Sequence, residues 1–232
     1  MDLTLNGKRA LVCGSTDGIG KASALLMAER GATIVLMARN QVKLEKVREE
    51  LAFQNNQNHQ IICADFNDIP LLQNVLSSEL SEPIDILVNN SGGPHGGPLI
   101  EADPDEFRIG FERLLVSNQV ITKAVVPSMQ TRGFGRIINI ISISVNQVIP
   151  GLGVSNTIRG AVSQWAKTLA LELGSDGITV NNVLPGYTAT NRLEELVEAK
   201  AETLDVSRDQ IKAEWAGNTT LRRLGEPIEI AK

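Results

Sequence analysis

With 232 residues, 42% of them hydrophobic, the chain has enough apolar material for the core of one α/β domain and is too short for two of ordinary size. A formal net charge of −5, with no cluster of Lys and Arg interleaved with aromatics, excludes a nucleic-acid surface. No apolar run approaches the ~20 residues that span a bilayer, and Met1–Arg9 lacks the basic segment and apolar core of a signal peptide, so a cytoplasmic protein with no membrane partner is expected.

Taken in chain order, strand-length apolar segments recur at Ala10–Cys13, Thr33–Met37, Gln60–Ala64, Ile84–Val88, Ile137–Ile141 and Thr179–Leu184. The stretches between them are of helix length. Gly18–Arg30 reads as a helix that stops at Gly31, and Asn40–Phe53 as a helix capped by Asn40. Pro104–Thr131 reads as one long helix with Pro127 near its end, and Ser155–Gly174 as another, with Ala161, Val162, Trp165, Ala166 and Leu169 on a wide apolar face. Continuous apolar strands joined by long crossovers predict a single α/β unit over residues 1–232, a doubly wound Rossmann-type parallel sheet with helices on both faces. Cys13 and Cys63 have no metal-ligand spacing and read as free thiols packed at strand ends.

In such a sheet ligands bind outside the carboxyl ends of the strands, where chain order reverses. The residues that follow the strands are therefore the informative ones. After the first strand comes Gly14-Ser15-Thr16-Asp17-Gly18-Ile19-Gly20, a strand–loop–helix transition whose glycines permit a tight turn and close approach of a diphosphate to the helix N-terminus. The same spacing also arises in ordinary strand-to-helix turns and differs from Gly-x-Gly-x-x-Gly, so context decides. The other strand ends supply Ala38-Arg39-Asn40, Asp65, Asn89-Asn90-Ser91-Gly92-Gly93, Ser142–Ser144 and Pro185-Gly186-Tyr187.

These motifs, in this order, resemble the short-chain dehydrogenase/reductase family, and within it the 3-oxoacyl-(acyl carrier protein) reductases. The signs are Gly14/Gly18/Gly20, Asn89-Asn90-Ser91-Gly92 where the family has Asn-Asn-Ala-Gly, Gly135-Arg136-Ile137-Ile138-Asn139-Ile140 leading to Ser142, and Pro185-Gly186 before Thr190. The resemblance implies a nicotinamide cofactor cradled by Gly14–Gly20, Asn90 and Gly92. It also implies that Asp65 caps the adenine pocket, that Asn89 stabilises the central strands, and that Pro185, Gly186 and Thr190 embrace the nicotinamide end. At the end of the second strand, where NAD enzymes usually place an acid, stand Ala38 and Arg39, which suits the 2′-phosphate of NADP(H) over NAD(H). Asp17 argues the other way, because similar proteins that use NADP often carry a basic residue in that loop.

The family's working set is an Asn, a Ser, and a Tyr followed four residues later by Lys. By spacing, this chain keeps Ser142, places Leu114 at the Asn position, and has Ser155 and Arg159 where Tyr and Lys are expected. An alkyl hydroxyl is far harder to ionise than a phenol of pKa ~10, and Arg stays charged where Lys relays protons. Tyr187, the only tyrosine, either helps from its loop or forms a pocket wall. Asn118, one turn past Leu114, reads as an exposed or capping residue, and His95 as a surface residue of a glycine-rich loop. Tyr187–Asn218 would cover a small-molecule carbonyl or alcohol substrate, with Leu193, Leu196, Val197 and Trp215 lining the pocket. Two other readings stay open: a non-catalytic NADP(H)-binding sensor or structural subunit, and a cofactor-free lyase of the halohydrin dehalogenase type. The resemblance further implies a homotetramer or dimer, and a sheet without the family's final strand.

Overall fold

The computed structural model describes residues 3–54 and 56–232; Met1 and Asp2 of the N-terminal segment, and Asn55, lie outside the described residues. Six strands, Arg9–Cys13 (β1), Thr33–Ala38 (β2), Gln60–Cys63 (β3), Ile86–Asn89 (β4), Gly135–Ile140 (β5) and Ile178–Val183 (β6), form one sheet in the order β3-β2-β1-β4-β5-β6. Every neighbouring pair is parallel. β1 lies between β2 and β4, so chain order reverses there and a crevice opens beyond the carboxyl ends of those strands.

The period-two geometry of β1 sends Leu11 and Cys13 to one face and Ala10 and Val12 to the other. The first face is covered by Leu72 and Leu76 of α3 (Ile69–Glu79), by Ile121, Val125 and Met129 of α5 (Ser117–Arg132), and by Ala166 of α6 (Gly153–Leu173). The second face is covered by Ala24 and Ala28 of α1 (Gly18–Glu29) and Leu44 and Val47 of α2 (Gln41–Glu50). Both faces being buried explains why the strands read as unbroken apolar runs. β6 has one neighbour in the sheet.

Two expectations need correction. The predicted long helix starts as α4 (Pro104–Phe111), passes through a π turn at Glu112–Val116 and continues as α5. Its backbone stays helical throughout, so the residue spacing hides the wider turn. Cys13 is buried at the end of β1, as expected, but Cys63 is exposed, so packing does not account for it.

Candidate active site

The loop between β1 and α1 is shaped by three glycines that no other residue replaces. Gly14 and Gly18 adopt left-handed backbone, with φ of +56° and +52°. A β-carbon on Gly14 would lie 2.6 Å from Asn90 Nδ2, and one on Gly20 would lie 2.3 Å from the Gly14 carbonyl oxygen. The Asn90 amide donates to the carbonyls of Cys13 and Gly14 at 3.3 and 3.2 Å, so the loop after β4 clamps the loop after β1. Ser15 is fully buried and donates from backbone and hydroxyl to Met37 O. Asp17 is exposed and makes no side-chain cap, whereas α2 and α3 are capped by Asn40 and Asp68. The amides of the first turn of α1, from Gly18 through Ile19 to Gly20, are thus left as donors for an anion. Thr16 is half-buried beside them. The Thr190 methyl would lie 3.0 Å from a β-carbon on Gly18, which brings the segment after β6 onto the same loop. Asp17, Gly18 and Thr190 line a cleft of about 390 Å³ together with Lys21, Asn191 and Pro227.

At the end of β2, Ala38 is buried and Arg39 exposed. Asp65 accepts from the backbone and side-chain amides of Asn67 at 2.9 and 2.8 Å, and Arg113 Nε donates to Asn67 Oδ1 at 2.7 Å. Burial, then the Arg39 cation, push Arg113 below the usual guanidinium value, with Asp65 opposing. Arg39, Asp65 and Arg113 therefore share one neighbourhood. Arg113, in the π turn, was not singled out by the sequence.

The carboxyl ends of the central strands are tied by an asparagine ladder. Asn89 Nδ2 donates to Asn139 Oδ1 at 2.9 Å, and Asn139 Nδ2 donates to Asn182 Oδ1 at 3.1 Å, joining residues in register on β4, β5 and β6. Asn89 Oδ1 is buried without a partner among the described residues. Beyond the ladder, Ser142 Oγ accepts from Ser144 N at 3.1 Å. Pro185 O accepts from Ile143 N at 3.1 Å, and Gly186 faces the Ile143 side chain, so the loops after β5 and β6 are joined. Gly92 has open space around it.

Ser155, buried in the first turn of α6, and Arg159 one turn later are hydrogen-bonded, Nε to Oγ, at 3.2 Å. Arg159 Nη1 donates to Ile141 O, the residue before Ser142. Leu114 is buried with Ile141, Val154, Ile158 and Val162, so the Asn position is apolar. Asn118 is also buried, which corrects the exposed or capping reading; its side chain has no hydrogen-bond partner among the described residues. Burial, and secondly the Arg192 cation, push Arg159 down to about 10 from its ordinary 12.5. A lowered value in a base means that folding disfavours the charged form. That penalty is fully present below pH 10 and is relieved as pH rises through 10 toward 12.5. Arg159→Met is therefore expected to stabilise the ligand-free protein at neutral pH by about 1–3 kcal/mol, seen as a higher midpoint in thermal and urea unfolding. A lower midpoint would mean that the bonds to Ser155 and Ile141 outweigh desolvation.

The segment after β6 forms α7 (Asn191–Leu204) and α8 (Arg208–Gly217), with Thr190 capping α7 through Leu193 N. Leu193, Val197 and Trp215 were expected to line the pocket. They pack on one another with Ala201 and Ile211 instead, so they hold the two helices together, while Leu196 approaches Gly96. Tyr187 stacks on Trp215 at 5.3 Å between ring centroids, and its hydroxyl has no hydrogen-bond partner among the described residues. The Ser155–Arg159 pair does not include it. Arg192, which the sequence did not single out, donates to Pro94 O across the crevice. His95 is exposed. No helix among the described residues is long and apolar enough to cross a membrane.

A model of the short chain dehydrogenase family matches residues 8–201. A 3-oxoacyl-[acyl-carrier-protein] reductase of Haemophilus influenzae is 33% identical over 228 residues, covering 98% of this chain and 89% of that protein. A very-long-chain 3-oxoacyl-CoA reductase of Danio rerio is 34% identical over 176 residues, 74% of this chain, and the chain spans 57% of that relative's length. Among solved structures, L-sorbose reductase from Gluconobacter frateurii, complexed with NADPH and L-sorbose, superposes with a TM-score of 0.91 at 28% identity, covering 100% of this chain and 89% of the other.

Proposed function

The chain belongs to the short-chain dehydrogenase family, and we propose that it is a cytoplasmic NADP(H)-dependent oxidoreductase that interconverts a carbonyl and a secondary alcohol, in the manner of 3-oxoacyl carrier reductases. The observation that carries this reading is the complete dinucleotide cradle, with Gly14 and Gly20 packed on Asn90 and the first turn of α1 left without a side-chain cap. The fit is physical: a β-carbon at either glycine would collide with Asn90 or the Gly14 carbonyl and push apart the loop whose amides would face a diphosphate. Arg39 offers a charge-assisted contact to the 2′-phosphate, and Arg113 and Asp65 flank it. Thr190, Pro185 and Gly186 border the nicotinamide end.

A nicotinamide held in this cradle would supply or accept the hydride. The residues of this chain orient the carbonyl and stabilise charge. Ser142 and Ser155 present hydroxyls to the carbonyl oxygen, and the Arg159 guanidinium, bonded to Ser155, orients that hydroxyl and lends its positive field to the oxyanion as it develops. The proton reaches that oxygen from water through Ser155, because no phenol stands there. A second reading, a nucleotide-binding protein without turnover, is favoured by this missing proton donor. A single domain over residues 1–232 and a dimer or tetramer complete the proposal; exposed Phe111 on α4 and Leu171 on α6 are the apolar residues offered for assembly.

Titration with NADPH and NADH, followed by energy transfer from Trp165 and Trp215 and checked by calorimetry, tests both readings. NADPH is expected to bind the more tightly, and Arg39→Ala to weaken it about 10- to 100-fold while leaving NADH unchanged. Binding of neither nucleotide would overturn the proposal. Binding without turnover on any carbonyl would select the second reading.

A further inference from the structure

Arg159 and Arg192 come from helices on opposite sides of the crevice, yet their guanidinium groups converge on one point. A β-carbon on Gly93 would meet Arg159 Nη2 at 3.2 Å and Arg192 Nε and Nη2 at 3.8 Å. Each guanidinium keeps donors unused. Arg159 gives Nε to Ser155 and Nη1 to Ile141 O, leaving Nη2 without a protein acceptor. Arg192 gives Nη2 to Pro94 O and Nη1 to Glu195 at 3.2 Å, leaving Nε. The unused atoms, Arg159 Nη2 and Arg192 Nε, are two of the three guanidinium nitrogens that lie beside Gly93; the third, Arg192 Nη2, is held by Pro94 O.

Counter-charge is missing there. Arg159 has no acidic partner among the described residues, and the Glu195 carboxylate that pairs with Arg192 is 68% exposed. Two partly buried cations that repel each other are costly to hold without an anion, and a chain of net charge −5 had acidic residues to place between them. Gly93 keeps the gap open where any side chain would occupy it. Two converging N–H donors suit the two oxygens of a carboxylate.

From this juxtaposition we infer that the substrate is an oxo acid or hydroxy acid whose carboxylate sits between Arg159 and Arg192 over Gly93, with its carbonyl or alcohol toward Ser142 and Ser155. The inference rests on the carbonyl-reductase reading of those serines, and it adds the substrate's charge to it. The rival owner of the pair is the diphosphate of the nucleotide.

The test is calorimetry on the full chain, with and without saturating NADPH, using acetoacetate, its uncharged methyl ester, and malonate as probes. Acetoacetate is expected to bind at least 10-fold more tightly than the ester under both conditions. Arg192→Met should erase most of that ratio while leaving NADPH affinity within about 3-fold. Arg192→Lys serves if circular dichroism shows the Met variant unfolded, and should retain part of the ratio. Equal binding of acid and ester, or no saturable binding of acetoacetate or malonate, overturns the inference. So does an Arg192 variant that loses NADPH but keeps the acid preference, since the pair then belongs to the diphosphate. An acid preference without NADPH binding would instead sink the oxidoreductase reading and leave the anion site standing.

Discussion

Gly20→Ala should lower NADPH affinity more than 100-fold, the largest loss expected from any single methyl group in this chain. The added carbon would sit 2.3 Å from the Gly14 carbonyl oxygen and 2.7 Å from Asn90 Nδ2, closer than van der Waals contact allows. Either Asn90 leaves, breaking its bonds to the Cys13 and Gly14 carbonyls, or the loop lifts away from β4. Both displace the amides at the start of α1 that would face the diphosphate, and small displacements of preorganised donors have large consequences. The change should also cost about 1–3 kcal/mol of stability, typical of overpacking. Fluorescence titration and thermal unfolding measure the two effects. Gly217→Ala, with open space around it at the end of α8, is the control and should leave NADPH affinity unchanged without lowering stability. A Gly20→Ala protein that binds NADPH normally would show that the cradle is not the nucleotide site.

The strands were legible to within two residues at each end, because burial on both faces leaves an unbroken apolar run whose limits are set by glycines and polar loop residues. The tight turn of the glycine loop was legible too, since the left-handed backbone at Gly14 and Gly18 is a local requirement. What the sequence hid is what comes from distant elements. Arg192 and Gly93 are brought together by the fold, and the only hint in the chain is a guanidinium two residues past Thr190. The ladder of Asn89, Asn139 and Asn182 depends on strand register, which motif spacing does not report. The apolar residues of α7 and α8 were misread because amphipathic spacing tells that a face is buried, not against what: Val197 meets Trp215 rather than a substrate. The π turn was hidden because it conserves helical dihedrals while adding one residue to the turn.

The double variant Ser155→Tyr with Arg159→Lys should raise the rate of carbonyl reduction by about 10²- to 10⁴-fold, the usual contribution of a positioned general acid. On the reading proposed above, proton supply is the weak step of the chain as it stands. Ser155 is 6% exposed and hydrogen-bonded to a guanidinium, and neither group ionises usefully near neutrality. Leu114 offers nothing polar at the Asn position. A phenol beside an ammonium gains acidity from the cation and donates directly to the oxygen, so kcat should rise and acquire a pH dependence that the parent lacks. Ser155→Tyr alone should gain less, since an Arg that stays charged near neutral pH lowers the phenol pKa but passes on no proton there. The same exchange should weaken the preference for acetoacetate over its ester, because an ammonium is a point charge without the planar fork that meets a carboxylate. Circular dichroism checks that the larger ring is accommodated in the first turn of α6. If the folded double variant is no faster than its parent, the serine and arginine are not what limits turnover. The chain's departure from the family pattern would then have to be explained by the substrate it holds rather than by the proton it lacks.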